Sequence, residues 1–339
     1  MKCLYYPDFE RLEIREVPKP TPLDGELLLR VTACGICGSE LGSYRARSER
    51  RTPPLIMGHE FAGIVNRIGP GCTGKYSEEE AVIANSLVCP ETGYQTGIGN
   101  PHLSPNRQLF GMHRPGGFGE YVTVPEIALL KCPEGLAHEI ACLAEPVANG
   151  VHVYNLVKHE YIERAVVIGA GPIGLFCMQV LQANGIECVS ITDVSDGRLE
   201  VARELNATSA WRSDTDSYEK QVDSLTGGNG FDLCIDAAGN NVTKQLSLDL
   251  LRAGGATVWI GLGGTDFTMN GLDFTVSEKK IFGTFGARQE EMQEAIDLLA
   301  SSRIDASSWV DYFSLDDSVT AFERMLAGKD KDLKAVIRF

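Results

Sequence analysis

The nine residues VVIGAGPIG, 166–174, place Gly169, Gly171 and Gly174 in a G-x-G-x-x-G pattern. Alone the pattern is weak. Here an apolar run, RAVVIGAG (164–171), reads as a buried strand before it, and PIGLFCMQVLQANG (172–185) reads as a helix with a glycine stop after it. In that context the first glycine permits a tight turn, the second lets the backbone approach a pyrophosphate, and the third allows close helix–strand packing. Pro172 and Ile173 occupy the first helical turn, whose unpaired N–H groups suit an anion. Further along, ECVSITD (187–193), FDLCIDAAG (231–239) and GATVWIGLGG (255–264) read as strands, with DGRLEVARELNA (196–207) and VTKQLSLDLLRAG (242–254) as helices. Strands alternating with helices mean βαβ units and a parallel sheet, so this part is an α/β dinucleotide-binding (Rossmann) domain.

Asp193 ends the second strand, where its carboxylate can accept hydrogen bonds from the ribose hydroxyls and repel an added 2′-phosphate. That favours NAD over NADP. The plainer role for Asp193 is a helix cap. Arg198 admits two readings, a phosphate ligand or a first-turn helix residue near the adenine, and Asp193 favours the second.

Upstream the rhythm differs. ELLLRVTAC (26–34), EFAGIVNRIG (60–69) and FGEYVTVP (118–125) are rich in β-branched and aromatic residues between turn formers, which suggests a mostly β, partly barrel-like module. After residue 279 come KKIFGTFGA, an amphipathic QEEMQEAIDLLASS and a closing LKAVIRF. No repeat and no Pro/Ser-rich tether separates the two patterns.

A formal net charge of −15 argues against nucleic acid or an anionic membrane surface as partner, since both demand a basic face. MKCLYYPDFERLEI has neither an apolar h-region nor a small-residue cleavage site, and the most apolar windows are too short to span a bilayer. A cytoplasmic protein with ten mostly reduced, buried cysteines is expected.

Three short stretches carry metal-binding residue types. GICGSE (35–40) contains Cys37, GHEF (58–61) contains His59 and Glu60, and AEPVA (144–148) contains Glu145. A catalytic zinc takes three protein ligands of S, N and O type and keeps one position open, where it acts as a Lewis acid on an alcohol or carbonyl oxygen. His59 taken alone could equally be a satisfied interior histidine.

Together GICGSE, GHEFAGIV, GGFGEYV, AEPVANGVH, VVIGAGPIG and KAVIRF resemble the medium-chain zinc-dependent alcohol and polyol dehydrogenases, nearest the sorbitol, polyol-phosphate and sugar-acid branch. The resemblance runs over the whole chain. It implies a GroES-like catalytic domain over 1–148 and 286–339, around a Rossmann NAD-binding domain over 149–285. It implies that Cys37, His59 and Glu145 are zinc ligands, the last directly or through water. It also implies that Glu60 binds or exchanges at the metal and that Ser39 relays the substrate proton. Homodimers or homotetramers are the family habit.

Three departures matter. The position after Ser39 is usually Asp and is Glu40 here, longer by one methylene, which puts zinc affinity in question. The segment 89–104 keeps Cys89 alone of the four cysteines of a structural-zinc lobe, so one catalytic zinc and no structural zinc are expected. The histidine that often continues the relay falls at Gly42, so the relay must end in water or another group.

Cys34 makes a C-x-x-C with Cys37 but reads as structural. Tyr44 and His113 are candidate substrate contacts, set against aromatic packing and a surface histidine. The basic run SYRARSERR (43–51) reads as a solvated loop or as a steering patch for an anionic substrate. The expected activity is reversible, NAD-linked oxidation of a secondary alcohol on a polyol, cyclitol, sugar or sugar acid. The rivals are a zinc-independent quinone-type reductase and a non-catalytic NAD-binding protein on the same fold.

Overall fold

The computed structural model describes residues 1–215, 218–328 and 331–339. The chain divides into two compact units. One comprises Met1–Ala148, Gly286–Ser302 and Ala306–Phe339; the other comprises Asn149–Phe285 and Arg303–Asp305.

The first unit is built on the strand Glu26–Gly35, whose near-continuous burial along ELLLRVTACG covers both of its faces. It pairs antiparallel along its whole length with Glu60–Ile68. On its other edge it pairs antiparallel with Tyr121–Pro125 through its first half and with Lys334–Arg338 through its last three residues. Ala81–Ala84 and Leu129–Lys131 extend the sheet beyond Glu60–Ile68, and Val310–Ser314 extends it beyond Lys334–Arg338. The final strand of the chain therefore lies next to Cys34 and Gly35, directly before the GICGSE segment. The core inside this sheet joins Tyr6, Leu27, Leu29, Val31, Phe61, Phe110, Phe118 and Phe322.

The second unit is a parallel sheet in the order Ser209–Arg212, Cys188–Asp193, Arg164–Ile168, Phe231–Asp236, Leu251–Trp259, Lys280–Gly283. In chain order that is 3-2-1-4-5-6, the doubly wound order whose direction reverses between the first and fourth strands. The apolar run before Gly169 is the first strand, and Pro172–Ala183 is the helix after it.

Two details differ from the sequence reading. The helix drawn through residue 254 ends at Asp249, and Leu251 already pairs with Phe231. The pairing then shifts register before Leu233, and Gly254, at φ +71°, takes a conformation that a helix cannot hold. The metal motif AEPVA opens a 14-residue helix from Ala144 to Val157. No helix among the described residues is long and apolar enough to cross a membrane.

Candidate metal centre and cofactor loop

The strand Glu26–Gly35 delivers the chain to Cys37, which caps the helix Gly38–Ala46. Its sulfur accepts from the Ser39 amide at 3.5 Å and from the Ser39 hydroxyl at 3.3 Å. Glu40, at the third helical position, reaches back to the Cys37 amide at 3.1 Å and completes a capping box. One carboxylate oxygen of Glu40 therefore fixes the start of the helix. The other accepts from the Gly58 amide at 2.8 Å and meets Nδ1 of His59 at 2.9 Å.

Gly58 has φ +95°, and a Cβ there would press on the Cys34 sulfur and the Phe118 amide. A glycine is required for the turn that presents His59. Cys34 is fully buried against it, which bears out a packing role.

Cys37 Sγ, a ring nitrogen of His59 and a carboxylate oxygen of Glu60 all lie within 4.8 Å of one another, the one such group of three among the described residues. With Nδ1 held by Glu40, His59 turns Nε2 to the cluster. Glu60 also forms an ion pair with Lys334, whose ammonium donates to the Ile36 carbonyl at 2.9 Å; both side chains are almost wholly buried. Glu145 lies outside the 4.8 Å set. It is buried, hydrogen-bonded with Ser86, and close enough to feel the charges of His59 and Glu60.

The pKa directions follow from this crowding. Burial alone would discharge His59, but Glu40 and Cys37 outweigh it and hold its pKa well above the usual histidine range. Burial works against the Glu40 anion too, yet His59 and Arg51 keep its pKa below the ordinary value. Glu145 goes the other way, pushed up chiefly by burial.

These charges test whether a metal fits. With Cys37 as thiolate and His59 neutral, as ligation requires, the half-buried Cys37 and the buried Glu40, Glu60 and Glu145 supply four negative charges. Lys334 and Arg51 supply two positive ones. A divalent cation closes the difference, and sulfur, nitrogen and oxygen donors suit zinc.

In the second unit, Gly169 stands at φ +100°. A Cβ at Gly174 would strike the Gly169 carbonyl. A Cβ at Gly171 would meet no protein atom within 4 Å, so protein packing does not require that glycine. Gly171 caps the helix, with Pro172 in the first turn and Ile173 after it. Asp193 ties the loop together: Oδ2 accepts from the Ala170 amide at 2.7 Å, and Oδ1 from Val194 and Ser195 at 2.7 and 2.9 Å. Arg198 lies 3.9 Å from Asp193, in the first turn of the helix that Ser195 caps.

The candidate substrate residues are placed differently. The Tyr44 hydroxyl donates to the Glu10 carbonyl at 2.5 Å, and its ring packs on Tyr6 and Phe322, so the geometry supports aromatic packing. His113 is exposed, with Nδ1 accepting from the Leu109 amide at 3.0 Å across a turn. Of the basic run, Arg45, Arg47 and Arg50 are exposed while Arg51 is buried beside Ser39, which neither reading of the run anticipated. Lys334 was also missed. Its only signal is a lysine opening an otherwise apolar strand.

Comparison with known proteins bears on both units. Residues 23–134 match the alcohol dehydrogenase GroES-like domain, and residues 172–301 match the zinc-binding dehydrogenase domain. An L-threonine 3-dehydrogenase of Pyrococcus horikoshii is 31% identical over 325 residues, covering 94% of this chain and 92% of that one. An Escherichia coli alcohol dehydrogenase complexed with NADH superposes with TM-score 0.93 at 27% identity, covering 100% and 99% of the two chains. A zinc-binding dehydrogenase of Sinorhizobium meliloti bound to NADP gives TM-score 0.90 at 26% identity, with 100% and 99% covered.

Proposed function

The chain belongs to the medium-chain zinc alcohol dehydrogenase family, and on that basis we propose that it oxidises a secondary alcohol of a polyol, cyclitol, sugar or sugar acid to the ketone, with NAD as hydride acceptor and one zinc ion per chain. The observation that carries the reading is the Cys37–His59–Glu60 cluster, its histidine and glutamate buried and its cysteine half-buried, with His59 oriented by Glu40 and the Ser39 hydroxyl touching the Cys37 sulfur.

Cys37, His59 and Glu60 would hold the metal, with Glu145 exchanging in directly or through water. When bound, zinc supplies Lewis acidity to the substrate oxygen. Ser39 Oγ would accept the hydroxyl proton of the substrate, and a bound NAD would supply the hydride acceptor. Glu40 keeps the His59 ring in place and fixes which nitrogen faces the donors. The glycine loop and the free amides of helix Pro172–Ala183 bind the pyrophosphate. Asp193 Oδ2, which accepts only from the Ala170 amide, keeps a lone pair for a ribose hydroxyl, whereas Oδ1 is filled by the Val194 and Ser195 amides, and the carboxylate repels a 2′-phosphate. Structures of relatives hold either NADH or NADP, so the choice of NAD rests on Asp193 itself. A relative named for oxidation of threonine at carbon 3, a secondary carbinol, supports the class of alcohol.

The test is nicotinamide reduction by the purified protein, with NAD+ and with NADP+, against a panel of polyols, cyclitols and sugar acids. We expect turnover of at least one secondary alcohol with NAD+ preferred. Quinone reduction without alcohol turnover would replace this reading with the quinone-type one.

A further inference from the structure

Arg51 is 3% exposed, yet among the described residues it forms no ion pair. Its guanidinium instead makes four hydrogen bonds. Nε donates to the Gly111 carbonyl at 3.2 Å, and Nη1 donates to the Ser39 carbonyl at 2.9 Å and to Ser43 Oγ at 3.0 Å. Nη2 donates to Ser39 Oγ at 3.1 Å. A buried cation with no direct ion pair is expensive to keep even with the Glu40 charge nearby, and three of its four bonds converge on Ser39 or on the helix turn that carries it.

We propose that Arg51 is the positioning residue of the Ser39 hydroxyl, and this rests on the alcohol dehydrogenase reading above. A serine hydroxyl has one proton and two lone pairs. Here the proton points to Cys37 Sγ and one lone pair is filled by Arg51. One lone pair remains, and through it Ser39 takes the alcohol proton.

An arginine cannot accept a proton at working pH, so nothing drains toward the protein interior. As the alcohol O–H bond breaks, its proton joins Ser39 Oγ, and the proton Ser39 held gives up its hydrogen bond to Cys37 Sγ and passes to water, so Ser39 gains one proton and loses one. The carbinol C–H electron pair goes to the nicotinamide as hydride, oxidising the alcohol and reducing NAD+. With glycine at position 42, no side chain at that position offers a base for the departing proton. The Arg51 charge stays beside Oγ throughout and favours the negative charge developing on the substrate oxygen, at no reorganisation cost during the step.

The experiment compares zinc-loaded wild type, R51Q, R51K, S39A and S39A/R51Q. We expect R51Q to lower kcat about 10- to 100-fold, below the roughly 100- to 10,000-fold of a group that itself transfers the proton because Arg51 only positions it, with the alcohol KM and NAD+ affinity unchanged. R51K restores part of kcat, since an ammonium can reach one Ser39 acceptor but not fork to several. In the S39A background R51Q adds no further loss. Full kcat in R51Q, or losses that multiply in the double variant, would overturn the proposal. If R51Q does not fold, S43A removes one anchor of the guanidinium and keeps its charge. A kcat loss of roughly three- to tenfold is then expected, of the size of one weakened hydrogen bond, and an unchanged kcat refutes the assignment. Absence of alcohol turnover in wild type would instead sink the functional reading itself.

Discussion

Lys334→Met tests how the centre is held together. Lys334 and Glu60 are 2% and 1% exposed as side chains, so solvent does little to weaken their attraction. Burial disfavours the ammonium, but Glu60 outweighs burial and raises its pKa above the ordinary lysine value. A group whose pKa rises on folding contributes stability that is fully present below its unfolded value and fades as pH climbs through the folded one. At neutral pH the whole contribution is therefore present. Methionine fills the space but leaves Glu60 as a buried, unpaired carboxylate and the Ile36 carbonyl without its donor. Removing one partner of such a pair costs about 3–5 kcal/mol. For a unit of this size that is a fall in Tm on the order of 10 °C. The assay is thermal unfolding of the metal-free protein at pH 7, with E60Q and K334M/E60Q beside it. The double variant should recover most of the loss, because the stranded charge is gone. Added zinc should narrow the K334M deficit, because it supplies a counter-charge to Glu60. A loss below about 1 kcal/mol, or a double variant no better than K334M alone, would refute a tightly coupled pair.

Other outcomes follow from the same geometry. Glu40→Gln should weaken zinc affinity about 10- to 100-fold in a chelator competition, since the amide replaces the charge that orients His59; unchanged affinity would show that the longer side chain is not a functional substitute for aspartate. His59 carries a raised pKa in the metal-free protein, so zinc uptake near neutral pH should release protons, that of His59 adding to any from the Cys37 sulfur, and zinc affinity should fall as pH falls. Calorimetry in two buffers of different ionisation enthalpy reads those protons. Asp193→Ser should raise kcat/KM for NADP+ relative to NAD+ by roughly tenfold, the equivalent of about 1.4 kcal/mol of relieved repulsion; a constant ratio would remove Asp193 as the selector.

The fold class was legible because its signals are local. The apolar run before Gly169, the helix opened by Pro172 and the alternation that follows each occupy one contiguous stretch, and the α/β sheet forms as they imply. The mostly β part was legible from β-branched strands such as 26–34 and 60–69. Helix Tyr218–Thr226 and strand Ser209–Arg212 were not read, being short and polar enough to pass for loop. The helix over Ala144–Val157 was hidden because its Pro, Gly and valines score poorly as helix formers while its burial in the tertiary structure overrides them.

At the site, the donor residues could be named from motifs, but their supports could not. Lys334 meets Glu60 from 274 positions away in sequence, and only the antiparallel pairing of Lys334–Arg338 with Glu26–Gly35 brings it there. Arg51 was hidden differently. Set among Arg45, Arg47 and Arg50 it reads as one more solvated charge, and nothing in the run marks which arginine turns inward. The extra methylene of Glu40 looked like a threat to the metal. In the structure the carboxylate spans the Cys37 amide, the Gly58 amide and His59 together.

The most direct measurement is the zinc content of the purified protein, taken together with its alcohol-dependent NAD+ reduction before chelation, after it, and after zinc is returned. We expect one zinc per chain, activity that disappears with it and returns with it, and neither in a Cys37→Ser/His59→Ala variant. Turnover indifferent to removal of the metal, or zinc retained when both donors are gone, would contradict a catalytic centre built on Cys37, His59 and Glu60.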